Sequence, residues 1–383
     1  MTSGQLFRVD LIVGARPNFV KIAPIVRALR ARGTFAPRLI HTGQHYDFLM
    51  DRVFFDELRI PPPDVNLKIG SGPASEQVAR IMLGLHPLFV EDRPDLLVVV
   101  GDVNSTVAAA LTATYLRIPI AHVEAGLRSF DREMPEENNR LVVDQLSDLH
   151  FVTEKEGEAN LLAERVAPSR IKFVGNVMID TLYDGVDRAI PAAQTFVTLG
   201  ASPAFREAAA KGYGFVTLHR PSNVDDPVKL AALIEALAKV SERLPLVFAV
   251  HPRTRGNIEK AGLAGKLKAP GLLAVEPLAY LASLGLMREA KVVVTDSGGM
   301  QEETTALGVP CITVRDNTER PITISEGTNT LIGADPARIL PIVEDILRTG
   351  GKTGRKPALW DGKAAERIAA EAEAFLTARA QKA

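Results

Sequence analysis

The run Leu96-Leu-Val-Val-Val100, followed at once by Gly101-Asp102-Val-Asn-Ser-Thr106, decides the fold class. Five consecutive apolar residues suit a strand covered on both faces, as strands of parallel sheets are. The small polar residues behind it open a helix expected to run through Leu116, with Asn104 or Ser105 as its cap. The same cadence extends both ways. Phe7–Val13, Arg38–Thr42, Ile118–Val123, Leu149–Val152 and Ile171–Val174 read as strands, with helical stretches up to Arg32, around Phe48–Leu58 and from Ser75. The pattern pauses over residues 184–212. It resumes with Phe215–Leu218, Leu246–Val250, Leu272–Val275, Val292–Thr295 and Cys311–Val314. Strands alternating with helices predict an α/β protein with parallel, doubly wound sheets. Two domains are expected, joined near residues 176–212, and the final helical stretch Gly362–Arg379 is free to cap either one.

Composition agrees. A chain of 383 residues is too long for one ordinary core. A net charge of −1 and the lack of any basic block give nucleic-acid binding no electrostatic support. The single Cys311 excludes an intramolecular disulfide. No signal pattern and no apolar run near 18 residues is present, so a cytoplasmic protein without a membrane partner is expected.

In a parallel sheet the residues just past each strand share one face, and ligands bind there. The densest such stretch is His122-Val-Glu-Ala-Gly-Leu-Arg128 with Met134-Pro-Glu-Glu-Asn-Asn-Arg140. Glu124 stands just past a strand. Glu136 and Glu137 follow Pro135, which suits a first helical turn, where carboxylates are also favoured by the helix dipole. Position alone leaves each of them open to a structural or a functional role. Arg16 at a strand-to-helix junction and Lys21 beyond it are either phosphate ligands or solvated charges. Asp102 either caps its helix or serves chemistry, and His219, at the end of Phe215–Leu218, is catalytic or incidental. Thr295-Asp-Ser-Gly-Gly-Met-Gln-Glu-Glu303 is the most specific local signal. Glycines at a helix start allow close approach of a ligand to free N–H groups, which makes an anion site. It is neither a P-loop nor GxGxxG. Glu303, one turn inside, is either a ribose ligand or an ordinary helix carboxylate.

Six motifs, GARPNFVKIAP, VVVGDVNST, HVEAGLRS with MPEENNR, TLHR, TDSGGMQEE and VRDNTERP, resemble in order and spacing the non-hydrolysing UDP-N-acetylglucosamine 2-epimerases, from about residue 8 to the end of the chain. The resemblance implies the GT-B fold: two Rossmann-like domains with a cleft between them. Residues 1–176 with a returning C-terminal helix, 360–383, would form the first domain, and residues 177–359 a UDP-binding second. It further implies a homodimer, no metal or other cofactor, a UDP-sugar as partner, and a role in polysaccharide biosynthesis. The implied reaction interconverts UDP-GlcNAc and UDP-ManNAc through elimination of UDP to 2-acetamidoglucal and its re-addition. By motif, Asp102, Glu124 and Glu136 match the acid/base carboxylates, and Lys21 and His219 the remaining catalytic positions. Arg16, Ser297, Gly298 and Gly299 match diphosphate contacts, Glu303 a ribose contact, and Arg140 a sugar or phosphate contact.

The chain departs from the family pattern in three places. His219-Arg-Pro-Ser-Asn223 replaces HRREN, and Gln44-His-Tyr-Asp47 replaces QHRE or QHRQ. Both stretches resemble parts that hold an activating second UDP-GlcNAc in some bacterial members, so this activation is expected to be absent or altered. Ser283 stands where members often carry phenylalanine near the uracil. A related UDP-sugar 2-epimerase, a hydrolysing epimerase, a GT-B glycosyltransferase and a UDP-sugar sensor remain as alternatives.

Overall fold

The apolar run that set the reading, Leu96–Val100, is strand β4, and all five of its residues are buried. The structure is a computed structural model that describes residues 6–14, 16–43, 56–60, 62–333 and 335–382, without the side chains of Arg16 and Pro17. Every strand pairing is parallel. The first sheet comprises β1 (Phe7–Val13), β2 (Phe35–His41), β3 (Val65–Asn66), β4, β5 (Ile120–Val123), β6 (Leu149–Val152) and β7 (Ile171–Phe173), in the order β3-β2-β1-β4-β5-β6-β7. The second comprises β8 (Gly214–Leu218), β9 (Leu246–Val250), β10 (Leu272–Val275), β11 (Val292–Thr295), β12 (Cys311–Thr313) and β13 (Asn329–Leu331), in the order β10-β9-β8-β11-β12-β13. Both are doubly wound. Each order reverses at one point, β1/β4 in the first sheet and β8/β11 in the second, which is where such sheets bind ligands.

The chain divides into two compact units, one of residues 1–183 with 358–383 and one of residues 184–357. In the first, Ile81, Leu85 and Phe89 of helix Ala74–Glu91 and Val107–Ala110 of helix Asn104–Tyr115 pack with Leu97, Val99 and Ile120 of the sheet. In the second, Leu230, Leu233, Ile234 and Leu237 of helix Pro227–Ser241 pack with Val216, Phe248 and Val294. The last helix, Ala364–Ala380, belongs to the first unit. Asp180 caps it, accepting from Ala364 N at 3.0 Å and Ala365 N at 2.7 Å. Burial pushes that carboxyl up to about 6.

Some local expectations fail. Helix Asn104–Tyr115 is capped by neither Asn104 nor Ser105: its cap residue is Val103, with no side-chain cap. Thr106 Oγ1 instead donates to Val100 O at 3.0 Å and ties the helix to β4. Strand β2 starts at Phe35 rather than Arg38. Pro37 looks like a break, but β2 meets β3 only at Ile40 and His41, so at Pro37 it is an edge, where proline is tolerated. The helix expected around Phe48–Leu58 falls mostly outside the described residues.

Candidate active site

At the reversal of the first sheet, four side chains or turns converge past the strand ends. Glu124 follows β5 and is buried, with φ of 67°. A left-handed glutamate is uncommon and persists only where its surroundings fix it, typically at a functional site. Here the N–H groups of Glu124 and Ala125 both reach Phe151 O at the end of β6, at 3.1 and 3.2 Å. The Glu124 carboxylate forms an ion pair with Lys21, itself buried on helix Arg16–Arg32. One turn earlier on that helix, Asn18 Nδ2 donates to Val100 O at 2.9 Å. Gly101, with φ of 69°, leaves room for the pair: a Cβ there would lie 3.3 Å from Glu124 Oε2 and 3.4 Å from Lys21 Nζ.

Asp102 is next in the chain and does not cap its helix. It pairs with Arg140 of helix Pro135–Leu146, and Asn139 Nδ2 donates to its carbonyl at 2.9 Å. The two first-turn glutamates separate. Glu137 is buried and accepts from Ser129 N at 2.8 Å, Ser129 Oγ at 2.9 Å and Phe130 N at 3.2 Å, so it shapes the loop before its own helix. Glu136 is exposed and has no part in this network among the described residues. Lys21, Asp102, Glu124 and Arg140 are thus gathered past the C-terminal ends of β4 and β5, and Glu136 makes no bond to them among the described residues. Arg16 opens its helix, but its side chain lies outside the described residues, as do Gln44–Asp47.

The second unit repeats the layout with other groups. His219 follows β8, and Asp296 follows β11. Asp296 is fully buried and accepts from His219 N at 3.1 and 3.0 Å, Arg220 N at 2.9 Å and Asn223 Nδ2 at 3.1 Å. His219 Nδ1 stands 3.0 Å from its Oδ1. Burial alone would raise the Asp296 carboxyl, but these donors and the imidazole charge hold it below the usual carboxylate range. Helix Gly298–Leu307 starts here. Its cap, Ser297, makes no side-chain cap bond, so no cap side chain occupies the first-turn N–H groups, the kind of groups that favour anions at a helix start. Arg320 borders that turn: a Cβ on Gly298 would lie 2.9 Å from its Nη1. Arg320 is held by Glu302, at 2.7 Å, and stands 3.7 Å from Glu319. Glu319 also takes both arms of Arg315; against the opposing effect of burial, its arginines bring it down to about 2.

Glu303 is buried and accepts from Tyr280 Oη at 3.2 Å. Burial pushes its carboxyl up to about 7, so near neutral pH it exchanges between acid and carboxylate. Pro221 opens a short helix, Pro221–Val224, on which Ser222 is exposed, and Ser283 lies half-buried on helix Tyr280–Glu289. Among the described residues, no group of three or more His, Cys, Asp or Glu side chains could hold a metal ion, and no helix is long and apolar enough to cross a membrane.

Residues 27–373 match the family model described as UDP-N-acetylglucosamine 2-epimerase. The chain belongs to this family. Among 2-epimerase relatives, the UDP-N-acetylglucosamine 2-epimerase of Methanocaldococcus jannaschii is 38% identical over 94% of this chain and 97% of that one. The UDP-2,3-diacetamido-2,3-dideoxy-D-glucuronate 2-epimerase of Pseudomonas aeruginosa is also 38% identical, over 90% and 93%. A crystal structure of the M. jannaschii UDP-GlcNAc 2-epimerase in complex with UDP-GlcNAc and UDP superimposes with a TM-score of 0.83 at 36% identity, covering 96% of this chain and 99% of that one.

In this 2-epimerase family member Asn18, Asp144, Tyr280, Asp296 and Arg320 also belong to the candidate site, and none of them stands out in the sequence by itself. Two had a readable signal. Asp144 lies four residues after Arg140, on the same helical face, and Arg320 lies within VRDNTERP.

Proposed function

We propose that the chain interconverts UDP-GlcNAc and UDP-ManNAc by inverting C2 of the sugar. That C2–H is not flanked by a ketone, so removing its proton alone is too costly. Elimination avoids the problem. A base takes the C2 proton as the C1–O bond breaks, the electron pair leaves on UDP, and a C1=C2 bond forms, giving 2-acetamidoglucal. UDP then adds back to C1 while a proton returns to the opposite face of C2. This needs two proton-handling groups and cations on the departing diphosphate.

The observation that carries the reading is the buried Lys21–Glu124 pair, held at a left-handed residue beside Asp102, in a member of this family. Asp102, Glu124 and Glu136 serve as the acid/base carboxylates, with Lys21 and His219 completing the catalytic set. Ser297, Gly298, Gly299 and Arg16 receive the diphosphate, Glu303 a ribose hydroxyl, and Arg140 the sugar or a phosphate. No metal or nicotinamide enters any step. The exposure of Glu136 makes it the weakest member of this set.

A second substrate has support from one relative: the Pseudomonas protein is named for a 2,3-diacetamido uronic acid sugar, at the same 38% identity as the M. jannaschii enzyme. Proton NMR in D2O with each sugar decides between them. With UDP-GlcNAc, deuterium should enter C2 as UDP-ManNAc signals appear. Free ManNAc would indicate the hydrolysing reaction, and exchange only with the diacetamido uronate would move the assignment to that sugar. Loss of the second arginine and the glutamate of HRREN leads to one more expectation: UDP-ManNAc alone should turn over without a trace of UDP-GlcNAc. We further propose a homodimer, which light scattering after size exclusion would test.

A further inference from the structure

One buried carboxylate outside the proposed catalytic set holds the surroundings of Glu124 from both sides. Asp144, on helix Pro135–Leu146, is shielded from solvent. Its Oδ1 lies 2.6 Å from His122 Nδ1, and its Oδ2 accepts from Gly126 N at 3.0 Å and Arg128 Nη2 at 2.7 Å. His122 and Gly126 are the residues two before and two after Glu124, so a single side chain clamps the two arms of the left-handed turn. Turn and clamp are packed tightly: a Cβ on Gly126, whose φ is 78°, would lie 2.2 Å from Gly157 O.

The clamp reaches Asp102 as well. His122 Nε2 lies 2.8 Å from Gly101 O, the carbonyl preceding Asp102. Both ring nitrogens therefore face oxygen atoms, and the ring bridges Asp144 to the Gly101 carbonyl. One turn before Asp144 on the same helix, Arg140 pairs with Asp102 itself. Burial raises the Asp144 carboxyl, but His122 and Arg128 outweigh it and keep it ionised below the usual range.

We propose that Asp144 is a positioning residue for the reaction, fixing Glu124 through Gly126 and His122, and Asp102 through the His122–Gly101 bond, in the geometry that proton transfer at C2 requires. This rests on the epimerase reading above. The carboxylate touches no substrate; it sets where two reacting carboxylates stand.

The test compares Asp144→Asn and His122→Gln with the wild-type chain by C2 deuterium exchange and by UDP binding. Asparagine keeps the shape but turns an N–H toward donors that need an acceptor. Misplacing a reacting group by about 1 Å costs about 10²-fold, so D144N should lose about that in kcat with KM and UDP affinity unchanged. His122→Gln should lose less, because it cuts one arm only. The double variant should lose no more than D144N, since residues that act as one unit are not additive. Unchanged kcat in D144N overturns the inference. So does a parallel fall in UDP affinity, which a general structural defect would produce, or full additivity of the two variants. If D144N does not fold, His122→Gln decides alone, a kcat loss at constant KM supporting the inference and an unchanged kcat overturning it. No exchange by the wild-type chain with either sugar would sink the functional reading and this inference with it; exchange in wild type matched by both variants would sink this inference alone.

Discussion

The end of β4 and the end of β11 occupy the same place in their sheets, each the first strand past the reversal, and each is followed by an aspartate. The sequences run in parallel, Val98-Val-Val-Gly-Asp102 against Val292-Val-Val-Thr-Asp296. The two aspartates have opposite uses. Asp296 turns inward, is fully buried and gathers three hydrogen-bond donors and the His219 ring from the β8 end, leaving the next helix start without a side-chain cap. Asp102 remains a quarter exposed behind the left-handed Gly101, and its side chain faces outward, paired to Arg140. One topological position thus yields an exposed helix start in the second unit and a cluster of paired charged side chains in the first, the two that the proposed reaction assigns to the diphosphate and to proton transfer. What separates them is where the glycines sit: before the aspartate in the first unit, and two residues after it in the second.

The comparison breaks most decisively at Glu124. Glu124→Gln removes the proton-accepting form while keeping the shape, and C2 exchange should fall about 10³-fold, within the range general acid–base groups contribute; retained exchange would remove the first unit from the chemistry. Asp296→Asn should cost about 10²-fold in turnover by freeing the His219 ring, with some loss of stability from donors left unpaired in the interior. A smaller pair of changes separates the two roles. Gly298→Ala brings a methyl to Arg320 and should weaken UDP binding about tenfold, with no effect on kcat at saturation. Gly101→Ala, strained at positive φ and crowding Glu124 and Lys21, should lower kcat about tenfold and leave UDP binding alone. If both alanines move the same parameter, the division of labour is wrong. The smallest effect expected is in pH. A ribose hydroxyl donates to ionised Glu303, whose carboxyl burial has raised to about 7, so UDP affinity should rise about threefold from pH 6 to 8 and be flat in Glu303→Gln. Calorimetric titrations across that range would settle it.

Much of this was legible in the sequence, for identifiable reasons. Strands buried on both faces write themselves as apolar runs, so β4, β6, β9 and β11 were placed to the residue. Strands β3 and β13 are two and three residues long at sheet edges, too short to carry a period. Glu124 stood out through its place past a strand. Asp144 and Asp296 did not, because a buried bracing carboxylate is defined by partners 16–22 and 73–77 residues away; the spacing from Arg140 gives Asp144 its helical face but not those partners. Glu136 and Glu137 could not be told apart by composition; the loop Ser129–Phe130 makes the choice by donating to Glu137 alone.

The return of the last helix to the first unit has a consequence for how the protein is made. Residues 184–357 form one unbroken stretch, so the second unit is complete as soon as it is synthesised. The first is not: Asp180 waits for Ala364 and Ala365, and Arg32 for Glu373, while the whole second unit is translated. At ordinary ribosome speeds that delay is roughly 10–35 s. The unit bearing Glu124 is begun first and closed last, so a chain stopped short of its final helix carries a completed second unit and an unclosed first one.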